Sequence, residues 1–204
     1  MRIIAGTAGS IKLENIDGEE TRPTLERVKE NFFNAVNFEL ENAKVLDLFA
    51  GSGQLGLEAL SRGARDCVFI DNNADCAEII RKNAQKAKLY NKCNILKADY
   101  SEYLSSVRKR REFDKFDIVF LDPPYADGAR IIKETVKRLA KQGFMNDNGM
   151  IICESESAVE LDEETAKRVV KKRIYKYGRI IITVFNIGEG EQNERENMSD
   201  SGYV

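Results

Sequence analysis

Residues 44–62 read KVLDLFAGSGQLGLEALSR. An apolar run, KVLDLF, breaks at closely spaced glycines and gives way to QLGLEALSR, whose apolar residues recur at helical spacing. Gly51, Gly53 and Gly56 satisfy the pattern G-x-G-x-x-G. A strand feeding a Gly-rich turn and then a helix is the opening unit of a parallel α/β sheet, and the turn lets a ligand approach the backbone closely. Asp71 lies 20 residues beyond Gly51, closing the next apolar run, CVFID. An acid at the tip of a second strand is placed to grip a ribose. The alternative is a tight turn with no ligand, which leaves the spacing of the acid unexplained.

The pattern repeats outward from this unit. CVFID predicts a second strand, followed by a helix over residues 73–89. CNILKAD predicts a third, with a short helix around YSEYLSSV. FDIVFLD predicts a fourth, with a helix over 128–142, and GMIICES a fifth. Strands alternating with helices form parallel units, and near-continuous apolar strands fit a sheet covered on both faces. The segment KRVVKKRIYKYGRIIITVFNI predicts two more strands, antiparallel because the turn at Tyr177–Gly178 is so short. Upstream, RIIAG and SIKLENI predict an N-terminal hairpin. Leu25, Val28, Phe32, Val36 and Leu40 predict an amphipathic helix to about Glu41, capped by Thr24, with Arg27, Lys29 and Glu30 on its outer face. The expected fold is therefore α/β: a doubly wound, mostly parallel seven-stranded sheet with an antiparallel C-terminal pair and a small N-terminal extension. Residues 1–187 read as one domain, with the extension over 1–41 and the core over 42–187. Residues 188–204, acidic and poor in apolar residues, read as a disordered tail.

Composition narrows the chemistry. The chain has no histidine, which excludes His-dependent triads, His metal sites and His general bases. Cys67, Cys76, Cys93 and Cys153 form no C-x-x-C pair, so neither a zinc site nor a redox motif is signalled, and the expected state is reduced thiols. No apolar run reaches the ~20 residues of a membrane helix, and MRIIAGTAGS lacks an apolar signal core. The expected location is the cytoplasm. Net charge is −2 and uneven: the tail holds five acids and one arginine, while Thr165–Ile180 carries Lys167, Arg168, Lys171, Lys172, Arg173, Lys176 and Arg179 without an acid. That stretch, with Tyr175 and Tyr177 interleaved, can neutralise phosphates and stack bases. It equally suits a solvated edge strand whose lysines block aggregation.

The acids decide what the Gly-rich turn holds. Dinucleotides and S-adenosylmethionine both bring an adenosine ribose. A dinucleotide needs a helix N-terminus open to its pyrophosphate. Asp47, just before the turn, repels a pyrophosphate and suits the cationic ammonium and sulfonium of S-adenosylmethionine. Asp99, in KADY, stands where an adenine amine is hydrogen-bonded; as a helix N-cap it serves YSEYL at the same time.

The fourth strand ends in LDPPY, residues 121–125, with two of the chain's three prolines. In the usual doubly wound order it lies beside the first strand and faces the same crevice. An exocyclic –NH2 of a base is a poor nucleophile because its lone pair is delocalised. The Asp122 carboxylate and the Pro123 carbonyl each accept one of its N–H groups, favour pyramidal nitrogen and stabilise the charge developing there. Tyr125 supplies a stacking wall, and the base reaches it flipped out or unstacked. A β-turn with proline at its second position is the structural alternative.

DPPY with DLFAGSG upstream resembles the amino-methyltransferases that use S-adenosylmethionine to methylate exocyclic amines of nucleic acids. MRIIAG, TRPTLERVKENFFN, DLFAGSGQLGLEALSRGA, DPPY and YGRIIITVF, in that order over residues 1–187, resemble more closely the bacterial guanine-N2 methyltransferases of small-subunit ribosomal RNA. The resemblance implies Asp122, Pro123, Pro124 and Tyr125 as the catalytic loop. It implies a cofactor set of Asp47, Gly51, Gly53, Asp71 and Asp99, joined by Phe49, Ser52, Asn72 and Tyr100. Thr21, Arg22, Pro23 and Thr24 would form a loop beside the site, with Arg22 and Thr24 toward substrate. It also implies S-adenosylmethionine as cofactor, no metal, and a monomer acting on small-subunit RNA within a ribosomal particle. Relatives carry a basic Gly-Arg-rich segment near the N-terminus; here TAGSIKLENIDGEE has one lysine and four acids. RNA contacts are then expected from Lys171, Lys172, Arg173, Lys176 and Arg179, or from RKRR at 108–111. Asp71 stands where glutamate is frequent in relatives.

Three alternatives remain at this point: a DNA adenine-N6 methyltransferase with the same chemistry, a nicotinamide-dependent oxidoreductase on the same turn, and a non-catalytic RNA-binding assembly factor.

Overall fold

A computed structural model describes residues 1–15, 23–106, 115–124 and 127–188. The strands are β1 (Lys44–Asp47), β2 (Asp66–Asp71), β3 (Cys93–Lys97), β4 (Phe116–Leu121), β5 (Met145–Ser155), β6 (Val169–Tyr177) and β7 (Ile180–Ile187). The helices are α1 (Pro23–Ala35), α2 (Gln54–Ser61), α3 (Ala74–Lys86), α4 (Tyr100–Ser106), α5 (Gly128–Lys141) and the short α6 (Glu163–Ala166). The seven strands form one sheet in the order β3-β2-β1-β4-β5-β7-β6. β1 pairs parallel with both β2 and β4, β2 with β3 and β4 with β5; β7 runs antiparallel to β5 and β6. The chain winds outward from β1 in one direction and then, from β4, in the other. The crevice of such a sheet lies at that reversal, beyond the carboxyl ends of β1 and β4.

Alternation along each strand feeds two cores. Val45, Cys67, Phe69, Ile118, Phe120, Ile152 and Val184 pack with Phe32 and Phe33 of α1, Leu57 and Leu60 of α2, and Ile80 of α3. Their neighbours Leu46, Val68, Ile70, Val119, Leu121, Ile151 and Phe185 pack on the opposite face with Leu104 of α4 and with Ile132, Val136 and Leu139 of α5. Burial on both faces is why these strands read as continuous apolar runs rather than alternating ones. No helix among the described residues is long and apolar enough to cross a membrane.

The N-terminal segment departs from expectation. The hairpin of RIIAG and SIKLENI reduces to one antiparallel bridge, Arg2 to Lys12. Donors that a ladder would use go to α2 instead. Ile4 N–H and Ala5 N–H donate to the two oxygens of Glu58 (2.7 and 3.1 Å), Thr7 N–H to Ser61 O (2.8 Å) and Ala8 N–H to Ser61 Oγ (2.9 Å). Glu58 is fully buried and also takes Arg62 Nε at 2.7 Å and faces Lys29 Nζ at 3.6 Å. α1 ends at Ala35 rather than near Glu41, passing into a 3-10 turn at Asn37–Glu39. It begins at Pro23, so Thr24 lies inside its first turn rather than at its cap. Lys29, expected on the outer face, is buried, and its Nζ donates to Arg2 O at 2.7 Å. It stands four residues after Leu25 and three before Phe32, on the edge of the apolar stripe. Gly178, at φ 63, makes the tight turn between β6 and β7.

Candidate active site

A cleft of about 740 Å³ opens at the carboxyl ends of β1, β2, β3 and β4. Its floor is the turn after β1. Gly51 and Gly53 have φ of 51 and 79, in the left-handed region that side chains disfavour. A Cβ on Gly53 would also stand 3.1 Å from Ile80 Cγ1. Gly56, in the first turn of α2, lies so close to β2 that a Cβ there would meet the Phe69 ring and stand 2.7 Å from Cys67 Sγ. Asn83 of α3 locks the turn from below, its Nδ2 donating to Ser52 O and to Glu14 O, both at 2.9 Å.

Three acids project from the strand ends around this turn. Asp71 accepts Gly51 N–H at Oδ2 and Asn73 N–H at Oδ1, both at 2.9 Å. Those bonds aim the carboxylate at the cleft, and each oxygen keeps a lone pair for a hydroxyl donor. Asp47 is 1% exposed and accepts Gly56 N–H at 3.0 Å. Gly53 gives α2 no side-chain cap, so Asp47 serves that helix end from β1. Burial pushes its carboxyl up to about 7, against the lowering effect of the Gly56 N–H, with neighbouring Asp71 raising it further. Asp99 caps α4 through Oδ1, accepting Ser101 N–H at 2.8 Å and Glu102 N–H at 3.2 Å. The rings of Phe49 and Tyr100 meet at 5.0 Å and 45°, and both line the cleft. Asp122, Pro123 and Pro124 follow β4 into the same cleft.

The structure thus brings Asp47, Phe49, Gly51, Ser52, Asp71, Asn72, Asp99, Tyr100, Asp122, Pro123 and Pro124 to one cavity. Gly53 shapes the turn beneath it without lining it. Tyr125, Thr21, Arg22, the RKRR run and residues 189–204 lie outside the described residues. The basic stretch is not at the cleft wall. It forms the edge strand β6, where Lys172 Nζ donates to Val159 O (3.0 Å) and Arg173 pairs with Glu39 (3.7 Å), while Lys171, Lys176 and Arg179 are exposed. The reading from sequence missed the side of the cleft made by Lys29 and Phe32 of α1, Ile152 and Glu154 of β5, and Ile182 of β7. The helical spacing carried a signal for Lys29; Glu154 shows only as an acid ending an apolar run. The four cysteines are free thiols; burial pushes the pKa of each of Cys67, Cys93 and Cys153 up, that of Cys93 to about 12.

A seven-stranded sheet in this order, with an antiparallel last pair and a cleft at the β1–β4 reversal, is the Rossmann-like methyltransferase fold. The solved structure of the Escherichia coli protein yhhF superposes with a TM-score of 0.77 at 28% identity, covering 93% of this chain and 99% of that one. The family model described as Conserved hypothetical protein 95 matches residues 1–186. Escherichia coli ribosomal RNA small subunit methyltransferase D is 35% identical over 156 residues, 76% of this chain and 75% of that one. The Bacillus subtilis protein YlbH is 32% identical over 185 residues, 91% and 98% respectively. The chain belongs to this family of bacterial small-subunit ribosomal RNA methyltransferases.

Proposed function

We propose that the protein transfers the methyl group of S-adenosylmethionine to the exocyclic N2 of a guanine in small-subunit ribosomal RNA. The observation that carries this reading is the placement of Asp122 and Pro123 in the same cleft as Asp47, Asp71 and Asp99. The set of acceptors fits the cofactor. Asp71 is held for a ribose diol, Asp99 for an adenine amine and Asp47 for an ammonium, with Phe49 and Tyr100 as apolar walls. A nicotinamide dinucleotide fits worse, because the α2 N-terminus that would take its pyrophosphate is already occupied by the Asp47 carboxylate.

The bound cofactor supplies an electrophilic methyl on a sulfonium. The residues of the chain do the rest. Asp122 and the Pro123 carbonyl accept the two N–H groups of the base amine and aim its lone pair. Both acceptors oppose the positive charge that grows on nitrogen. Tyr125 stacks on the flipped base. Protonation at the exocyclic nitrogen of guanine breaks its conjugation with the electron-poor ring, so that cation is a stronger acid than a carboxylic acid; the Asp122 carboxylate suffices to take the proton and no histidine is required.

The test is labelled methyl transfer to undermethylated small subunits, protein-free ribosomal RNA and duplex DNA in parallel, with the labelled nucleoside identified by mass spectrometry. The expected product is N2-methylguanosine from subunits or ribosomal RNA. N6-methyladenine in DNA replaces the substrate and keeps the chemistry; no transfer to any of the three overturns the proposal.

A further inference from the structure

The cleft has a second acid beside Asp122 that the mechanism above does not use. β4 and β5 run parallel in the register Leu121 to Cys153, so Asp122, the first residue past β4, comes beside Glu154, the next-to-last residue of β5, at the same end of the sheet. Neighbouring strands are about 4.8 Å apart. Glu154 shares a strand face with Ile152, and its register partner on β7 is Ile182. Both isoleucines belong to the core on the α1 side, so the carboxyl faces the wall that Lys29 and Phe32 contribute. The other acids around it are engaged. Asp47, Asp71 and Asp99 hold backbone N–H groups, and Glu26 pairs with Arg2 at 3.1 Å. Lys29 is committed to Arg2 O and Glu58. The Glu154 carboxylate forms no hydrogen bond or ion pair with another described residue, while its backbone stays in the β5–β7 ladder, and the residue is half-buried. A carboxylate half withdrawn from water has lost part of its hydration, and a ligand that brings an N–H makes up for it.

We propose that Glu154 is a specificity-determining residue that accepts the N1–H of the target guanine while Asp122 and Pro123 hold its N2. The inference rests on the guanine-N2 reading and deepens it. Guanine presents N1–H and N2–H₂ as adjacent donors, and two carboxyl groups on neighbouring strand ends match that pair. Adenine presents an acceptor at N1 beside its N6–H₂. A carboxylate at Glu154 repels that lone pair, so the same pocket excludes adenine by an unpaired buried acceptor. Only the ionised form discriminates. Burial raises the pKa of Glu154, so the acceptor is lost progressively as pH falls into the acidic range. The charged groups facing it are Asp122 from β4 and Glu26 and Lys29 from α1; β7 contributes the apolar Ile182, and Tyr175 of β6 lies one strand further.

Wild type, Glu154→Ala and Glu154→Gln are compared by labelled transfer to undermethylated small subunits between pH 5.5 and 8.5, alongside calorimetric titration with S-adenosylmethionine. The alanine variant is expected to raise KM for subunits by roughly tenfold, the worth of one charge-assisted hydrogen bond, with cofactor affinity changed less than about twofold. Wild-type KM rises toward acid pH. That rise is absent in the near-isosteric glutamine variant, whose amide also donates to adenine N1 and so yields N6-methyladenine alongside N2-methylguanine. Unchanged KM in both variants, or cofactor affinity falling in step with activity, overturns the role of Glu154. If wild type itself methylates a base other than guanine, the guanine-N2 reading falls and this inference with it. N2-methylguanine from wild type with unaltered variants removes Glu154 alone.

Discussion

Asp47→Asn removes one buried charge and leaves the Gly56 N–H with an oxygen to donate to. In the folded protein burial lifts the Asp47 carboxyl from the ordinary 3.8 to about 7. At about 1.4 kcal/mol per pH unit, holding it ionised in the ligand-free fold costs about 4 kcal/mol. The sign follows from the raised pKa: the stability of the wild type is fully present below the unfolded value near 4 and is lost as pH rises toward 7, then stays level. Asparagine does not titrate. The variant is therefore expected to match wild type at pH 4 and to gain with rising pH, reaching a plateau on the order of 4 kcal/mol above pH 7. Urea denaturation of both ligand-free proteins at pH 4, 5.5, 7 and 8.5 measures the difference directly. The same substitution is expected to weaken S-adenosylmethionine binding by roughly 100-fold, the scale of a lost charge-assisted bond in a dry site. Equal stability at pH 8.5, or an undiminished affinity for the cofactor, would contradict the role of Asp47 as a buried charge held for the ligand.

Other perturbations follow from the same contacts. Gly56→Ala drives a methyl into the Phe69 ring and against Cys67 Sγ, and is expected to cost about 1–3 kcal/mol in denaturant unfolding. Glu58→Ala removes the buried carboxylate that pairs with Arg62 and takes the Ile4 and Ala5 amides; the expected loss is about 3–5 kcal/mol, with faster hydrogen exchange at those two amides. Charge reversal at Lys171, Lys176 and Arg179 is expected to lower affinity for ribosomal RNA and flatten its salt dependence, while S-adenosylmethionine titrations stay unchanged.

The parts of this molecule legible in its sequence are those set by local pattern. Apolar strands separated by helical periods, the glycines at 51, 53 and 56, and the acids closing β1 and β2 each follow from neighbours within a few residues, and the sheet is built on them. Asp122 and Pro123 reach the cleft because β4 pairs with β1, which the doubly wound order predicts. What escaped depends on partners distant in the chain. Ile4 and Ala5 look like a strand until Glu58 takes their N–H groups across more than fifty residues. Lys29 looks like a surface lysine until the N-terminal segment folds over it and Arg2 O takes its ammonium. Glu154 ends an apolar run like many strand acids, and only the β4–β5 register sets it beside Asp122.

The most direct test of the account is single-turnover methyl transfer by wild type and Asp122→Ala on undermethylated small subunits, with S-adenosylmethionine affinity measured on the same preparations. The variant is expected to bind the cofactor like wild type and to transfer methyl slower by a factor of roughly 10² to 10³, as when an oriented acceptor of developing charge is removed. Transfer at the wild-type rate, or a wild-type product methylated at a ring atom or a ribose instead of an exocyclic amine, would contradict it.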